Sequence, residues 1–449
     1  MSEARKPNAR DTALEVLLSV QKSGAWSDGS LKRLMAKYRL DSREAALCTR
    51  LSYGVLQNRA YLDYYISAWC SQKAEKLEPL ILNILRLGAY QILFADKIPS
   101  HAAVNEAVEE TRRYGRPKAA GMVNAVLRKI AVNVNSLPPI AAEGIAEKLA
   151  LQYSHPLWLV ERLLSLLGEA ETEAFLRLDN EAVPTTIQRN PLQITAEALE
   201  AELAASGAAV EKHPWLDGCY ELRGTGELEK MPAFQRGHFM VQDAAARLAA
   251  LAAAPEGTAR VLDLCAAPGG KSFALAMAMG DGGEILSCDI HPHKLKLIES
   301  GQQRLGIVHL HTALSDGRIF RPEWQESADL VVADVPCSGL GIIRKKPEIR
   351  YKDPGEISGL PEIQRAILEN AGRYVKPGGV LIYSTCTVLP EENEGVSGAF
   401  LSAHPEFSPE AFCLPGPIGE CPGQVTLWPQ RHGSDGFYIS KMRKKKDDL

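Results

Sequence analysis

No stretch of this sequence approaches the roughly 18 consecutive apolar residues that cross a bilayer, which argues against a helical membrane protein. The opening run MSEARKPNAR is polar and holds no apolar core of the kind a secretory leader needs. The nine cysteines are odd in number and form no CxxC pair, so neither a disulfide framework nor a zinc site is expected. A reducing cytosol is the natural compartment for such a chain. No internal repeat is visible. A Walker loop and a strict GxGxxG are both missing, which argues against a nucleoside triphosphate as ligand.

The 449 residues suggest about two or three domains. At 45% hydrophobic and 24% charged, the composition is that of an ordinary globular protein. The net charge of −4 is unevenly spread: residues 1–140 hold 21 Lys and Arg against 13 Asp and Glu, and the remainder holds 30 against 42. Such asymmetry fits a basic arm that meets a polyanion, and it also fits helix faces that merely carry solvated Lys and Arg.

Three regions follow from the patterning. Residues 1 to about 138 read as all-helical, with Leu14, Leu17 and Leu18, and then Leu31, Leu34 and Met35, at helical spacing. Asp41 followed by Glu44 resembles a capping box, and Ser100 is placed to cap a further helix. The run VNVNSLPPIAAEG (132–144) reads as a linker. Residues 145–235 read as a small α/β adaptor, with a strand over Val183–Asn190 and a helix over Ala196–Ser206. Residues 236–449 alternate apolar strands with helices. The strands fall at Arg260–Leu264, Glu284–Asp289, His309–Ala313, Leu330–Asp334 and Val380–Ser384, and the helices at Ser272–Met279, Pro292–Leu305 and Pro361–Val375. This predicts an α/β, doubly wound, Rossmann-like parallel sheet, with Gly436–Met442 as one further, antiparallel edge strand.

The chemistry lies just past those strands. The loop Cys265-Ala266-Ala267-Pro268-Gly269-Gly270-Lys271 follows the first strand, and its small residues let backbone N–H groups approach a ligand at a helix N-terminus. Asp289 ends the second strand, 20 residues past Gly269, where a carboxylate accepts both hydroxyls of a ribose. Asp316, after the third strand, is the next acid in line for an adenine edge. Ribose and adenine recognition without a pyrophosphate loop points to S-adenosylmethionine. The fourth strand ends in Asp334-Val-Pro-Cys337-Ser-Gly, and the fifth leads to Ser384-Thr-Cys386-Thr. A single cysteine is most often a small buried hydrophobe. Two at strand ends beside a cofactor loop suggest covalent chemistry, with Asp334 placed to hold a planar base such as cytosine. Cys48, Cys70, Cys219, Cys288, Cys413 and Cys421 lack that context and read as structural.

DLCAAPGGK, the DVPCSGLG run with downstream Arg344, Pro347 and Tyr351, STCT followed by Glu392-Asn393, and VQDAAA (241–246) together resemble the RNA 5-methylcytosine methyltransferases. The helical N-terminal region resembles an antitermination-factor-type RNA-binding domain. That pairing is similar to the bacterial 16S ribosomal RNA cytosine-5 methyltransferases of the Fmu/Sun type, over nearly the whole chain. The resemblance implies Cys386 as nucleophile, Cys337 as the thiol needed to release product, and Cys265 to Lys271, Asp289, Asp316 and Asp334 as S-adenosylmethionine contacts. It implies 16S ribosomal RNA as partner, and nothing in the sequence demands more than a monomer. The base that removes the C5 proton is Cys337 or a water it positions.

Candidate RNA contacts are Arg112, Arg113, Arg116, Lys118, Arg344, Lys345, Lys346 and the tail from Arg443 to Lys446, although a lysine-rich tail is more often a solvated end. His291-Pro-His293 lacks a third ligand, and no metal is expected. Three alternatives stay open: tRNA or another RNA as substrate, a DNA-type arrangement with Cys337 as nucleophile, and a non-catalytic RNA-binding assembly or antitermination factor.

Overall fold

The structure, a computed structural model, describes residues 6–23, 27–280 and 282–446. It divides into two compact units, one of residues 1–181 with 343–352 and one of residues 182–342 with 353–449. These units are drawn by compactness and cut across the expected adaptor at 145–235. The segment 145–181 goes with the helical unit, and the rest of the expected adaptor goes with the large sheet.

The first unit has helices α1 (Ala9–Ser23), α2 (Ser27–Tyr38), α3 (Ser42–Gln57), α4 (Arg59–Trp69), α5 (Pro79–Phe94), α6 (Ser100–Arg113), α7 (Ala120–Val132), α8 (Ile145–Tyr153), α9 (Leu157–Leu167) and α10 (Glu169–Leu178). Leu14, Leu17, Leu31 and Leu34 are buried in one core with α5, which is apolar on nearly every face. Half of the expected capping box forms. Asp41 accepts from the Glu44 N–H at 2.8 Å, but the Glu44 carboxylate turns away to the Ala9 N–H that opens α1. Ser100 is the first residue of its helix, not its cap, and Pro99 precedes it with no side-chain hydrogen bond.

The segment 343–352 packs with these helices. Arg350 is fully buried, and its guanidinium donates to the carbonyls of Gln57, Tyr153, Ser154 and Asp179 and to the Asn180 side chain. Tyr351 donates to the Leu56 carbonyl under the stacked Arg59 guanidinium, and Glu348 caps α2 through the Ser27 N–H and hydroxyl.

Glu110 on α6 is only 2% exposed, and one of its carboxylate oxygens has no hydrogen-bond partner. Its neighbour Arg113 turns to Asp11 at 2.5 Å and stays 3.8 Å from Glu110. Burial, and then the Asp11 charge, push the Glu110 carboxyl up to about 8. In the unfolded chain a Glu titrates near 4.3, as a rough reference. Between those values the folded state holds a proton that the unfolded state has lost, so stability falls as pH rises through the window. Glu110→Gln is expected to remove that slope and to stabilise the protein by on the order of a few kcal/mol at pH 8, with little effect near pH 5. Thermal melts at the two pH values decide it, and an equal shift at both would sink the assignment.

The second unit begins with β1 (Thr185–Arg189), α11 (Ala196–Ala205), β2 (Ala209–Lys212), β3 (Cys219–Arg223), α12 (Pro232–Gln235) and β4 (Phe239–Val241). Its strands form an antiparallel sheet in the order β2-β3-β1-β4. There follow α13 (Ala244–Ala253), β5 (Arg260–Asp263), α14 (Gly270–Met279), β6 (Glu284–Asp289), α15 (Pro292–Leu305), β7 (Leu310–Leu314), β8 (Ala328–Asp334), α16 (Pro354–Ile357), α17 (Leu360–Tyr374), β9 (Val375–Thr385), α18 (Glu394–Ala403), β10 (Phe407–Pro409), β11 (Phe412–Leu414), β12 (Gly419–Cys421), β13 (Gln424–Leu427), α19 (Pro429–His432) and β14 (Phe437–Lys444). The large sheet runs β10-β14-β9-β8-β5-β6-β7, with β13 also paired to β14. Strands β5 to β9 are mutually parallel and β14 is antiparallel to β9. This is the predicted doubly wound sheet. The strand order reverses between β5 and β8, which opens a ligand crevice at their carboxyl ends.

Candidate active site

Each acid singled out in the sequence sits at or just past the carboxyl end of a parallel strand. A cleft of about 370 Å³ there is lined by Cys265, Ala267, Asp289, Asp316, Asp334 and Pro336, among others. Gly269 adopts a left-handed backbone (φ 107°) as α14 begins, and a Cβ on it would lie 2.4 Å from the Phe273 ring. The loop therefore needs glycine there to turn closely into the helix. Asp289 accepts from the His291 N–H at 2.9 Å, with Lys294 3.8 Å away. Asp316 is gripped bidentately by Arg318, whose hydrogen bonds hold its carboxyl below the ordinary range. It lines the cleft with its own counter-ion already in place.

Beside the cleft, Asp334 accepts from Lys271 Nζ at 2.6 Å and from Ser384 Oγ at 2.7 Å. Asp334 and Ser384 are partners in the β8–β9 register, so the parallel ladder itself sets this contact. Burial works against the Lys271 ammonium, but the Asp334 charge and hydrogen bond outweigh it and hold the Lys271 pKa above its usual value. Lys271 thus remains a cation, with the Phe437 ring 4.9 Å below it.

The two thiols meet. Cys337 Sγ and Cys386 Sγ are 3.0 Å apart, and the Cys386 N–H points at Cys337 Sγ from 3.3 Å. The contact with Cys386, and then burial, push the Cys337 thiol well above its ordinary range. Gly341 supports this corner by donating to the Cys386 carbonyl (3.0 Å) while its own carbonyl accepts from Gly436 (2.8 Å). A Cβ on Gly341 would fall 1.9 Å from the Gly436 carbonyl oxygen, which is backbone. Gly341→Ala is expected to cost about 1–3 kcal/mol and to weaken activity by moving Cys386. A melt unchanged from wild type would show that the crossing yields.

Five residues of this corner, Asp263, Ser384, Gln364, Glu392 and Asn393, were given no role from the sequence. Asp263 ends β5 fully buried, accepts from Ser272 Oγ at 2.7 Å, and is pushed up to about 6, first by burial. It stood inside the recognised loop run, and its position at the strand end was the available signal. Ser384, Gln364 and the roles of Glu392 and Asn393 depend on contacts between distant segments, which no local pattern marks.

The expected RNA contacts are less uniform than the sequence suggests. Arg112 pairs with Glu109, Arg113 with Asp11 and Arg116 with Glu78, while Lys118 is exposed. The loop is not a patch of four unengaged cations; the Arg112 and Arg116 pairs are exposed, worth less than about 1 kcal/mol and displaceable by a phosphate, whereas the Asp11 partner of Arg113 is buried. Arg344, Lys345 and Lys346 lie on the segment that packs with the helical unit. In the tail, Arg443 and Lys444 belong to β14 and pair with Glu410 and Glu326, so this part is sheet and not a solvated end.

Comparison with known proteins marks three segments of the chain, the middle one running across the 181/182 boundary between the two compact units. A family model described as 16S rRNA methyltransferase RsmB/F matches residues 250–443, the NusB family matches 7–132, and a ferredoxin-like domain of RsmF/B-like methyltransferases matches 155–228. A probable ribosomal RNA small subunit methyltransferase B of Bacillus subtilis is 36% identical, covering 98% of this chain and 100% of its own length. A relative of the same description from Synechocystis is 32% identical, covering 97% and 99%. Among solved structures, PH0851 matches with a TM-score of 0.81 at 29% identity, over 99% of this chain and 100% of its own. A methyltransferase homolog from Pyrococcus horikoshii matches with a TM-score of 0.58 at 25% identity, over 68% and 100%. With a relative this similar along its whole length, and the NusB-like helices and methyltransferase sheet both in place, the chain belongs to the RsmB/F family of 16S ribosomal RNA methyltransferases.

Proposed function

We propose that this protein transfers a methyl group from S-adenosylmethionine to C5 of a cytosine in 16S ribosomal RNA, through a bond between Cys386 and C6 of the base. The observation that carries this reading is the pair of thiols 3.0 Å apart beside the Lys271–Asp334 ion pair at the mouth of the cleft.

The cleft's lining fits the methyl donor. Asp289 suits a ribose diol, Ile290, Ile363 and Ile367 give apolar walls for a purine, and the glycine loop brings N–H groups to the α14 N-terminus. When bound, S-adenosylmethionine supplies an electrophilic methyl group.

Cytosine C5 is too weak a nucleophile to take that methyl unaided. Cys386 gives up its S–H proton to water, and addition of the resulting thiolate to C6 moves electron density toward C5 and the N3 side of the ring. Asp334 accepts from the exocyclic amino group at that edge, and the Lys271 cation stabilises charge that develops there. Once C5 carries the methyl, its proton must leave so that the C6–sulfur bond breaks and the ring double bond returns. Cys337, or a water it positions, takes that proton. The strongest influence raising the Cys337 thiol is its contact with Cys386. The target base must leave any stack for Cys386 to reach C6, so single-stranded or loop RNA is the substrate form.

The test uses methyl-labelled S-adenosylmethionine with 16S RNA and, in parallel, tRNA, followed by nucleoside analysis. Label in 5-methylcytidine from 16S RNA is expected. Label only from tRNA changes the substrate, and label in neither favours a binding protein.

A further inference from the structure

Neither thiol is held by its own loop alone. Gln364 on α17 donates from Nε2 to the Pro336 carbonyl (3.0 Å) and to Glu392 Oε2 (2.8 Å), and the same Oε2 accepts from the Ser338 N–H at 2.9 Å. The residues immediately before and after Cys337 are thereby gripped from one side. Asn393, the next residue after Glu392, accepts from Thr385 Oγ1 at 2.5 Å and donates to the Thr387 carbonyl at 3.1 Å, so it grips the residues flanking Cys386. Ser338 and Thr387 hydroxyls join the two loops at 2.7 Å. Gln364, Glu392 and Asn393 are all within 1% of complete burial. Glu392 Oε1 and Gln364 Oε1 are buried without hydrogen-bond partners. An apolar core would be cheaper than such a network, so its retention needs a reason.

We propose that Glu392 is a positioning residue for product release: with Gln364 it clamps the backbone on both sides of Cys337 and holds that thiol against Cys386. The proposal rests on the reading of Cys386 as nucleophile and Cys337 as the group that serves release. What Glu392 contributes is its acceptor oxygen at Oε2 and not its charge, because both groups it holds there are neutral N–H donors. Glutamine keeps that oxygen and puts its amide nitrogen in place of Oε1, which has no hydrogen-bond partner.

The experiment compares full-length Glu392→Ala, Glu392→Gln, Gln364→Ala and Cys337→Ala, each with 16S RNA and S-adenosylmethionine. It reads kcat, KM for RNA and the amount of denaturation-resistant protein–RNA adduct. Glu392→Ala is expected to lower kcat roughly 10- to 100-fold with little change in KM and to accumulate the adduct that Cys337→Ala accumulates. Glu392→Gln is expected to return kcat to within about threefold of wild type. Should Glu392→Ala not fold, Gln364→Ala releases the Pro336 side and is expected to show the same adduct at a lower level. If Cys337→Ala traps adduct while Glu392→Ala or Gln364→Ala turns over normally without it, the clamp is overturned. If Glu392→Gln is as impaired as Glu392→Ala, charge and not position is the contribution, and the proposal fails in that form. If Cys337→Ala itself traps nothing, the reading of the two thiols fails first and takes the clamp with it.

Discussion

Cys337→Ala, incubated with 16S RNA and S-adenosylmethionine, is expected to yield a protein–RNA adduct that survives denaturing electrophoresis, while Cys386→Ala yields neither adduct nor product. The two sulfurs are only 3.0 Å apart, so the outcome turns on role and not on reach. Loss of the nucleophile removes the covalent path altogether and should cost at least about 10⁴-fold in kcat. Loss of Cys337 leaves addition and methylation possible but removes the group beside the C5 proton, so enzyme stops in the bonded state. Adduct in Cys386→Ala in place of Cys337→Ala would exchange the assignments and restore the arrangement in which Cys337 attacks.

Lys271→Met should lower kcat roughly 10²- to 10³-fold, with the fold intact by circular dichroism. Methionine matches the length of the lysine stem and can rest on Phe437, but it leaves Asp334 with only the Ser384 hydroxyl. The cation is then missing where the ring gathers charge. The effect should fall on kcat more than on the KM for RNA, because the interaction strengthens as the ring becomes electron-rich. A variant with unchanged kcat and a raised KM would reassign Lys271 to ground-state binding.

Much of the large sheet was legible because apolar strand runs, a glycine turn and acids at the ends of β5, β6 and β8 are local signals. The bounds of Glu284–Asp289 and Pro292–Leu305 match the structure residue for residue. Strand β9 was read short because its start, Val375-Lys-Pro-Gly-Gly, looks like a turn, yet it pairs with β8 from Ala328 across a bulge. Strands β2 and β4 went unseen because each is four residues or fewer, and Ala209–Lys212 is mostly exposed, which leaves no alternation to detect. At the site, sequence named both cysteines, Lys271 and Asp334. It could not show that Ser384 faces Asp334, or that Glu392 reaches Ser338, because those contacts span 50 and 54 positions along the chain. The paired state of Arg113 was hidden likewise, since its partner Asp11 lies 102 positions away.

The placement of residues 343–352 also bears on how such a protein can be inherited. A module that joins its neighbour by a single linker can be lost, exchanged or expressed alone. Here the chain passes between the two compact units three times, and its short return to the first unit begins six residues after Cys337. A catalytic fragment cut at residue 182 would carry Arg350 without the Gln57, Tyr153, Ser154, Asp179 and Asn180 acceptors that make its burial tolerable. Recombination at that point strands a charge instead of freeing a domain. A catalytic fragment that stands without the helical region must therefore carry a different sequence over the ten residues 343–352.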